Sequence, residues 1–241
     1  MYDPIETIEY KNHTIEVYPD EDPQDPRQDD KLTKMLCSHR NYSLWDEKLT
    51  NYWVSFEEDF AIYIANKFYE DHKIDLNDNW NWFENEADEK KIRDRINEKI
   101  VRDNLYLYDH SWITISTSRF SCQWDSWQVW IIYILKSEIL DNRSDLKDKE
   151  DKDIMNKGYE IIENEVKEYD NYITWSVYGY KVSGKHCDDS CRWYTDDEYM
   201  IEEAKASIDH CIQRYTDKHI EKVKAYITNK VPFENREAYI I

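Results

Sequence analysis

Glycine is scarce in this chain, and the scarcity limits the turns that the chain can form. An average usage of about 7% would give roughly 17 glycines in a chain of this length. The sequence contains 3 glycines, at positions 158, 179 and 184, and 10 tryptophans. Turns with positive φ favour glycine, and asparagine or aspartate can replace it in only some of them. A mixed fold with several turns therefore needs an explanation for the missing glycines.

The chain is strongly acidic, which argues against several classes of partner. Its 52 Asp and Glu residues outnumber 32 Lys and Arg residues, for a net charge of −20. A face that binds nucleic acid or anionic lipid needs clustered lysines and arginines, so neither partner is expected. No run of about 18 apolar residues could span a membrane, and the N-terminus lacks the apolar region of a secretion signal. The sequence thus predicts a cytoplasmic protein.

Five cysteines stand at positions 37, 122, 187, 191 and 211. An odd number of cysteines without a secretion signal predicts reduced thiols. Cys187 and Cys191 have the spacing of half a zinc site, but no second pair with metal spacing lies nearby, so no metal is predicted. The chain also lacks a P-loop and a GxGxxG pattern, and no cofactor is expected.

Apolar periodicity predicts strands in hairpin-like pairs that are separated by helices. Ile5–Tyr10 and His13–Tyr18 alternate around Lys11-Asn12, which indicates a hairpin. This order is typical of an α+β fold, with a mainly antiparallel sheet and flanking helices. We expect one domain over residues 1–241, with a helical insertion at about 55–102. Further strands are predicted at Leu32–His39, Leu105–Tyr108, Ile113–Ser116, Val129–Leu135 and Tyr172–Val182, and helices at Glu86–Arg102, Ile154–Tyr169 and Met200–Asn229.

The central segment carries a long motif. Residues 105–130 read LYLYDHSWITISTSRFSCQWDSWQVW. This segment resembles the pattern LYLYDHSGITISTxxFSCxWDSGQVG of a family of bacteriophage and mobile-element proteins that has no assigned activity. Shorter matches lie at 25–27 with 36–46, at 169–180 and at 189–194. The resemblance covers roughly residues 5–45 and 105–210, and it implies a setting inside a host cell.

Tryptophan replaces glycine throughout this resemblance. Six tryptophans stand at glycine positions of the family pattern, whereas Trp124 matches a family tryptophan. Some bacterial lineages read UGA as glycine, so a gene translated with UGA as tryptophan would show this pattern. The hypothesis also accounts for the missing glycines, and the alternative is a genuine aromatic-rich variant. The six positions are Trp45, Trp112, Trp127, Trp130, Trp175 and Trp193.

The central motif also holds candidate catalytic residues at the ends of neighbouring predicted strands. Cys122 would serve as a nucleophile and His110 as its base, with Asp125 or Asp109 orienting the imidazole. Alternatively, Asp109 and Ser111 organise a tight turn and Cys122 is a small buried apolar residue. The sequence spacing does not decide whether these side chains converge.

Two further groups are candidates for binding. Asp170, Tyr172, Tyr178 and Tyr180 follow a helix and line the predicted strand Tyr172–Val182, where alternating aromatic and acidic residues suit a cationic or carbohydrate-like ligand. The alternative is a half-exposed strand of good β-formers.

Arg40 is the other binding candidate, and it lies beside Cys37 and His39 at the third predicted strand. Cys37 and His39 could join His110 and Cys122 in a Cys2His2 metal site, or simply pack against the sheet.

Charge and setting together favour an accessory interaction protein. The acids are spread over the loop at 20–30, the helix at 84–103 and the segment 138–170. Such a surface could imitate nucleic acid and occupy a basic nucleic-acid-binding protein of the host or phage. Solubility alone is the simpler explanation of the charge. The alternative function is a small hydrolase or transferase that uses His110 and Cys122.

Overall fold

A computed structural model describes residues 3–37, 46–48, 96–122 and 125–239, together with residues 44, 63 and 94. Several predicted features lie outside these residues, namely most of the helical insertion at 55–102 and the side chains of Cys37 and Trp130. Residues His39, Arg40 and Trp45 lie outside them entirely.

The strands among the described residues are β1 (Glu6–Tyr10), β2 (His13–Pro19), β3 (Lys34–Cys37), β4 (Glu47–Lys48), β5 (Ile100–His110), β6 (Trp112–Ser116), β7 (Ser126–Leu135), β8 (Tyr178–Gly184) and β9 (Asp188–Tyr194). The helices there are α1 (Lys136–Asn142), α2 (Asp151–Ile173) and α3 (Asp197–Lys230). Short 3-10 turns occupy Pro26–Gln28, Ser144–Leu146 and Phe233–Tyr239.

The chain gathers into two compact units. The first unit consists of residues 1–23 and 175–241, and the second unit consists of residues 24–174. Each unit has its own sheet, and among the described residues all strand pairs are antiparallel except β3 with β4. The predicted α+β class with a mainly antiparallel sheet is therefore confirmed. No domain boundary follows from the division alone, so the single domain stays a prediction.

The first unit is a four-stranded sheet in the order β1-β2-β8-β9, covered on one face by α3. Lys11 and Asn12 join β1 to β2 with φ values of 48° and 58°, and two left-handed residues of this kind form the tight turn of a right-twisted hairpin. Apolar residues at every fourth position of α3 pack against the sheet because they share one helix face. They are Met200, Ala204 and Ile208, against Ile15, Val17 and Val182.

The second unit is a five-stranded sheet in the order β4-β3-β7-β5-β6, with α2 packed against it. The central pair runs from Ile100 opposite Leu135 to Tyr108 opposite Ser126, and its inward residues are fully buried. Residues 96–99 are helical and β5 begins at Ile100, so the helix predicted to reach Arg102 ends earlier. Ile96 thus belongs to the helix and Ile100 to the strand.

A buried arginine fastens the N-terminal loop of the second unit to its core. The side chain of Arg27 is 6% exposed, and it donates to both carboxylate oxygens of Asp46. It also donates to Glu165 on α2 at 3.1 Å and to the Thr33 carbonyl oxygen at 2.9 Å. Because these acceptors surround the whole guanidinium group, one side chain joins the loop to α2 and to the residues that precede β3 and β4.

Two of the tryptophans at family glycine positions have a left-handed backbone. Trp175 follows the C-cap residue of α2 and has a φ of 59°, and Trp193 has a φ of 71° in β9. Trp193 lies at a β-bulge, where Gly179 stands opposite two residues of β9. The residue after a helix C-cap and the left-handed residue of a bulge are both sites that favour glycine. Trp112 and Trp127 lie in strands and are exposed.

Two expectations from the sequence are wrong. The strand predicted at Tyr172–Val182 begins only at Tyr178, because α2 continues through Ile173. Reduced thiols were expected throughout, but Cys187 and Cys211 form a disulfide that joins the β8–β9 connection to α3. Cys122 and Cys191 are free thiols.

Candidate functional site

Three of the four candidate catalytic residues meet at one edge of the second unit. His110 is the last residue of β5, and Cys122 and Asp125 lie in the connection between β6 and β7. The Oδ2 atom of Asp125 lies 3.5 Å from Nδ1 of His110 and accepts a hydrogen bond from Sγ of Cys122, also at 3.5 Å. The structure therefore brings together side chains that are up to 15 residues apart in sequence.

The order of these groups differs from that of a nucleophile, base and orienting acid. In such a triad the imidazole stands between the nucleophile and the carboxylate. Here the carboxylate of Asp125 stands between Cys122 and His110, and it contacts both through the same oxygen. The side chain of His110 is 66% exposed. The cluster is thus an open surface arrangement in which the Cys122 thiol donates a hydrogen bond to the Asp125 carboxylate.

Asp109, the fourth candidate, contacts Asp125 through its backbone. Its N–H donates to the carbonyl oxygen of Asp125 at 3.0 Å, which closes the β6–β7 connection onto β5. Asp109 and His110 are consecutive strand residues, so their side chains project to opposite faces of the sheet. Ser111, with a φ of 70°, forms the turn that follows. Of the two residues in the alternative, Ser111 thus lies in the turn between β5 and β6, and Asp109 lies within β5.

Asp170 and Tyr172 lie on α2 in the second unit. The Oδ1 atom of Asp170 accepts from the Thr114 hydroxyl at 2.7 Å and from the Ile115 N–H at 2.8 Å, so it ties α2 to the edge strand β6. The ring of Tyr172 stacks on that of Tyr169 and is partly buried against the core. Both residues hold the unit together, and neither lies on a strand.

Tyr178 and Tyr180 belong to the first unit, on the face of β8 that packs against α3. Tyr180 is buried, and burial raises the pKa of its phenol. Its ring lies 5.8 Å from that of Tyr194. The four residues of the proposed groove are therefore divided between a helix and a strand, because Tyr172 does not continue into β8.

Arg40 and His39 lie outside the described residues, so the proposed Cys2His2 site is not described. Within the part of the chain that is described, no group of three or more His, Cys, Asp or Glu side chains could hold a metal ion.

A cleft of about 310 Å³ lies on the first unit, and sequence reasoning did not find it. It is formed where the end of β2 meets β8 and the bulge of β9. The one feature of the sequence that could have indicated the cleft is Gly179, one of only three glycines. It lies opposite the bulge of β9. A Cβ at this position would lie 2.8 Å from the carbonyl oxygen of Cys191. The lining residues include Tyr18, Asp20, Glu21, Lys181, Cys191 and Arg192.

Acidic charge is distributed over both units. The first unit has 19 acids and 11 bases, and the second has 33 acids and 21 bases. Within the first unit, residues 3–22 contain seven acids and one base, Lys11. Lys11 donates to Asp209 at 2.7 Å, and this hydrogen bond lowers the pKa of the Asp209 carboxyl. The one base of this segment is thus paired with an acid of α3, and no ion pair joins the seven acids to another described residue. We call residues 3–22 the acidic hairpin.

None of the described helices combines the length and apolar character needed to cross a membrane. Comparison of the chain with protein-family models, with curated proteins and with solved structures finds no match in any of the three. The resemblance of the central motif to phage and mobile-element proteins therefore stays a prediction.

Proposed function

We propose that this chain is a phage-like accessory protein of the host-cell cytoplasm that binds a basic macromolecule, such as a nucleic-acid-binding protein of the host or phage. The observation that carries the proposal is the net charge of −20, to which both units contribute. The acidic hairpin offers this charge on an exposed edge, since β1 is the outer strand of its sheet. An acidic surface speeds the encounter with a basic partner and disfavours acidic ones.

The acidic hairpin also presents exposed acids without ion pairs in the described structure. Asp3, Glu6 and Glu9 are exposed, and none of them forms an ion pair with another described residue. On α2, by contrast, Glu160 pairs with Lys157 and Asp151 with Lys136. A cationic partner would therefore gain more at the hairpin than at α2. In the more specific form of this proposal, the acidic surface imitates nucleic acid and occupies the nucleic-acid site of the basic partner.

Charge-neutral variants test where the partner binds. The probe is a 16-residue peptide of alternating arginine and glycine, titrated into the full chain by calorimetry. Asp3→Asn, Glu6→Gln and Glu9→Gln are combined in one variant of the hairpin. The matched control combines Asp141→Asn, Asp148→Asn and Glu163→Gln, three exposed acids of the second unit. Both variants change the net charge by the same amount.

The proposal predicts that the hairpin variant binds the peptide about tenfold more weakly, as expected for the loss of several charge contacts. The control variant should lose much less affinity. Equal losses in both variants would show attraction to net charge alone, and this would contradict a defined binding surface. Failure of the unaltered chain to bind the peptide would contradict the function itself.

A second candidate function is supported by the contacts among His110, Cys122 and Asp125. A hydrolase or transferase would use Cys122 as its nucleophile and would need His110 to approach the thiol in place of Asp125. Cys191 is an exposed free thiol on the other unit and provides an internal reference.

The rate of alkylation by iodoacetamide, measured at each cysteine by mass spectrometry, tests this candidate. A nucleophilic Cys122 should react faster than Cys191 and should slow down in His110→Ala, a change that an exposed side chain tolerates. A Cys122 that reacts no faster than Cys191 would rule out the enzyme and leave the cluster as a surface contact.

A further inference from the structure

The cleft on the first unit contains a buried acid that lacks a partner. Asp20 is 7% exposed and follows the last residue of β2. Its Oδ1 atom accepts from the Asp22 N–H at 3.1 Å, but its Oδ2 atom has no hydrogen-bond partner among the described residues. A buried carboxylate oxygen without a donor is costly, because it has lost water and gained nothing in return.

Asp20 lines the cleft together with residues of β2, β8 and β9. Gly179 stands directly opposite Tyr18 in the pairing of β2 with β8. Gly179 has no side chain, and the backbone of β9 packs directly against it, with the Cys191 carbonyl oxygen 2.8 Å from where a Cβ would lie. The Tyr18 hydroxyl donates to Glu16 at 3.0 Å, which restrains the phenol at the edge of the cleft.

The other charged groups of the cleft differ from Asp20 in exposure. Glu21, Lys181 and Arg192 are all exposed, so water solvates their charges. Asp20 is instead buried, its Oδ2 atom accepts no hydrogen bond, and no ion pair joins it to a described residue. A ligand that supplies N–H donors and a positive charge would remove this cost.

We propose that the cleft binds a guanidinium group, such as an arginine side chain of the basic partner. A guanidinium group is planar, weakly hydrated and able to stack on an aromatic ring, so it suits an enclosed carboxylate beside Tyr18 better than a compact, strongly hydrated ammonium group does. The inference rests on the proposed function, because it assigns the place where that partner is recognised.

The probe is N-acetyl-arginine-N-methylamide, titrated into the isotope-labelled full chain and followed by amide chemical shifts. N-acetyl-citrulline-N-methylamide, which has nearly the same shape and no charge, is the ligand control. Asp20→Asn removes the buried charge, and Asp22→Asn removes an exposed charge two residues away. Circular dichroism shows whether each variant is folded.

The proposal predicts that arginine amide shifts the amides of residues 18–21, 179–181 and 190–192, with a dissociation constant in roughly the millimolar range. Citrulline should not shift them. Asp20→Asn should weaken binding about tenfold or more, the loss expected for one charge-assisted hydrogen bond, whereas Asp22→Asn should change it little. No shifts at these residues, or equal binding by Asp20→Asn, would overturn the proposal.

A second variant keeps the test decisive if Asp20→Asn does not fold. Arg192 is exposed, and Arg192→Gln removes a positive charge from the cleft wall. It should strengthen arginine binding, and unchanged or weaker binding would contradict the proposal. If the chain binds the arginine–glycine peptide but arginine amide causes no shifts in the cleft, the proposed function stands and only this site fails.

Discussion

Replacement of Trp175 by glycine should stabilise the protein. Trp175 has a φ of 59° immediately after the C-cap of α2, and its side chain projects into solvent with the residue 68% exposed. An L-residue with a side chain is strained in this left-handed region, whereas glycine is not. The substitution removes the strain, and it also removes the indole ring, so the two effects must be separated.

The size of the effect follows from the exposure and the backbone. About a third of the residue is buried, and part of that area is already buried in realistic unfolded chains, which lowers the area buried on folding by roughly 10–40%. Loss of the ring should thus cost little. The left-handed conformation costs a non-glycine residue about 1–2 kcal/mol, and the greater freedom of glycine in the unfolded chain offsets about 0.4–1 kcal/mol. The expected gain is about 1 kcal/mol.

Urea denaturation followed by far-UV circular dichroism measures this gain, because tryptophan fluorescence would change with the residue itself. Trp175→Ala is the matched control, since it loses the ring and keeps the strained φ. The glycine variant should exceed the alanine variant by about 1 kcal/mol. At Trp127, which lies in β7, the order should reverse, because glycine weakens a strand. Alanine equal to or better than glycine at position 175 would refute the reasoning.

Three other predictions follow from the structure. Arg27→Ala should cost about 3–5 kcal/mol in urea denaturation, because it leaves the carboxylates of Asp46 and Glu165 buried without their cation; a loss below about 1 kcal/mol would contradict this. The disulfide between Cys187 and Cys211 joins residues 24 apart in sequence, and its reduction should lower the free energy of unfolding by about 3 kcal/mol. If the double variant Cys187→Ser, Cys211→Ser unfolds at the same urea concentration as the unaltered chain, the bond does not form. Sequencing of the gene should find UGA codons, with UGG contradicting the hypothesis, at Trp45, Trp112, Trp127, Trp130, Trp175 and Trp193.

Local structure could be predicted where the sequence pattern acts through neighbouring residues. The β1–β2 hairpin followed from alternation around Lys11-Asn12, and the helix predicted at Met200–Asn229 corresponds to α3. Periodicity was misleading where two elements share one apolar series. Ile96 belongs to a helix and Ile100 to β5, and both are buried for different reasons.

The candidate sites depended on contacts between distant parts of the chain. His110, Cys122 and Asp125 do meet, as strand ends at one sheet edge allow, but the order of the three groups depends on the path of the β6–β7 connection. The Asp20 cleft had no local signal. It requires the end of β2, a glycine of β8 and a bulge of β9, and only the tertiary pairing brings them together.

The salt dependence of peptide binding tests the proposed function most directly. The arginine–glycine peptide is titrated into the full chain at several salt concentrations, with the citrulline–glycine peptide as the uncharged control. If the acidic hairpin binds a basic partner, the dissociation constant should rise steeply with salt, because surface charges are screened within about 10 Å at 0.1 M, and the citrulline peptide should not bind. A dissociation constant that is independent of salt, or equal binding of both peptides, would contradict the account.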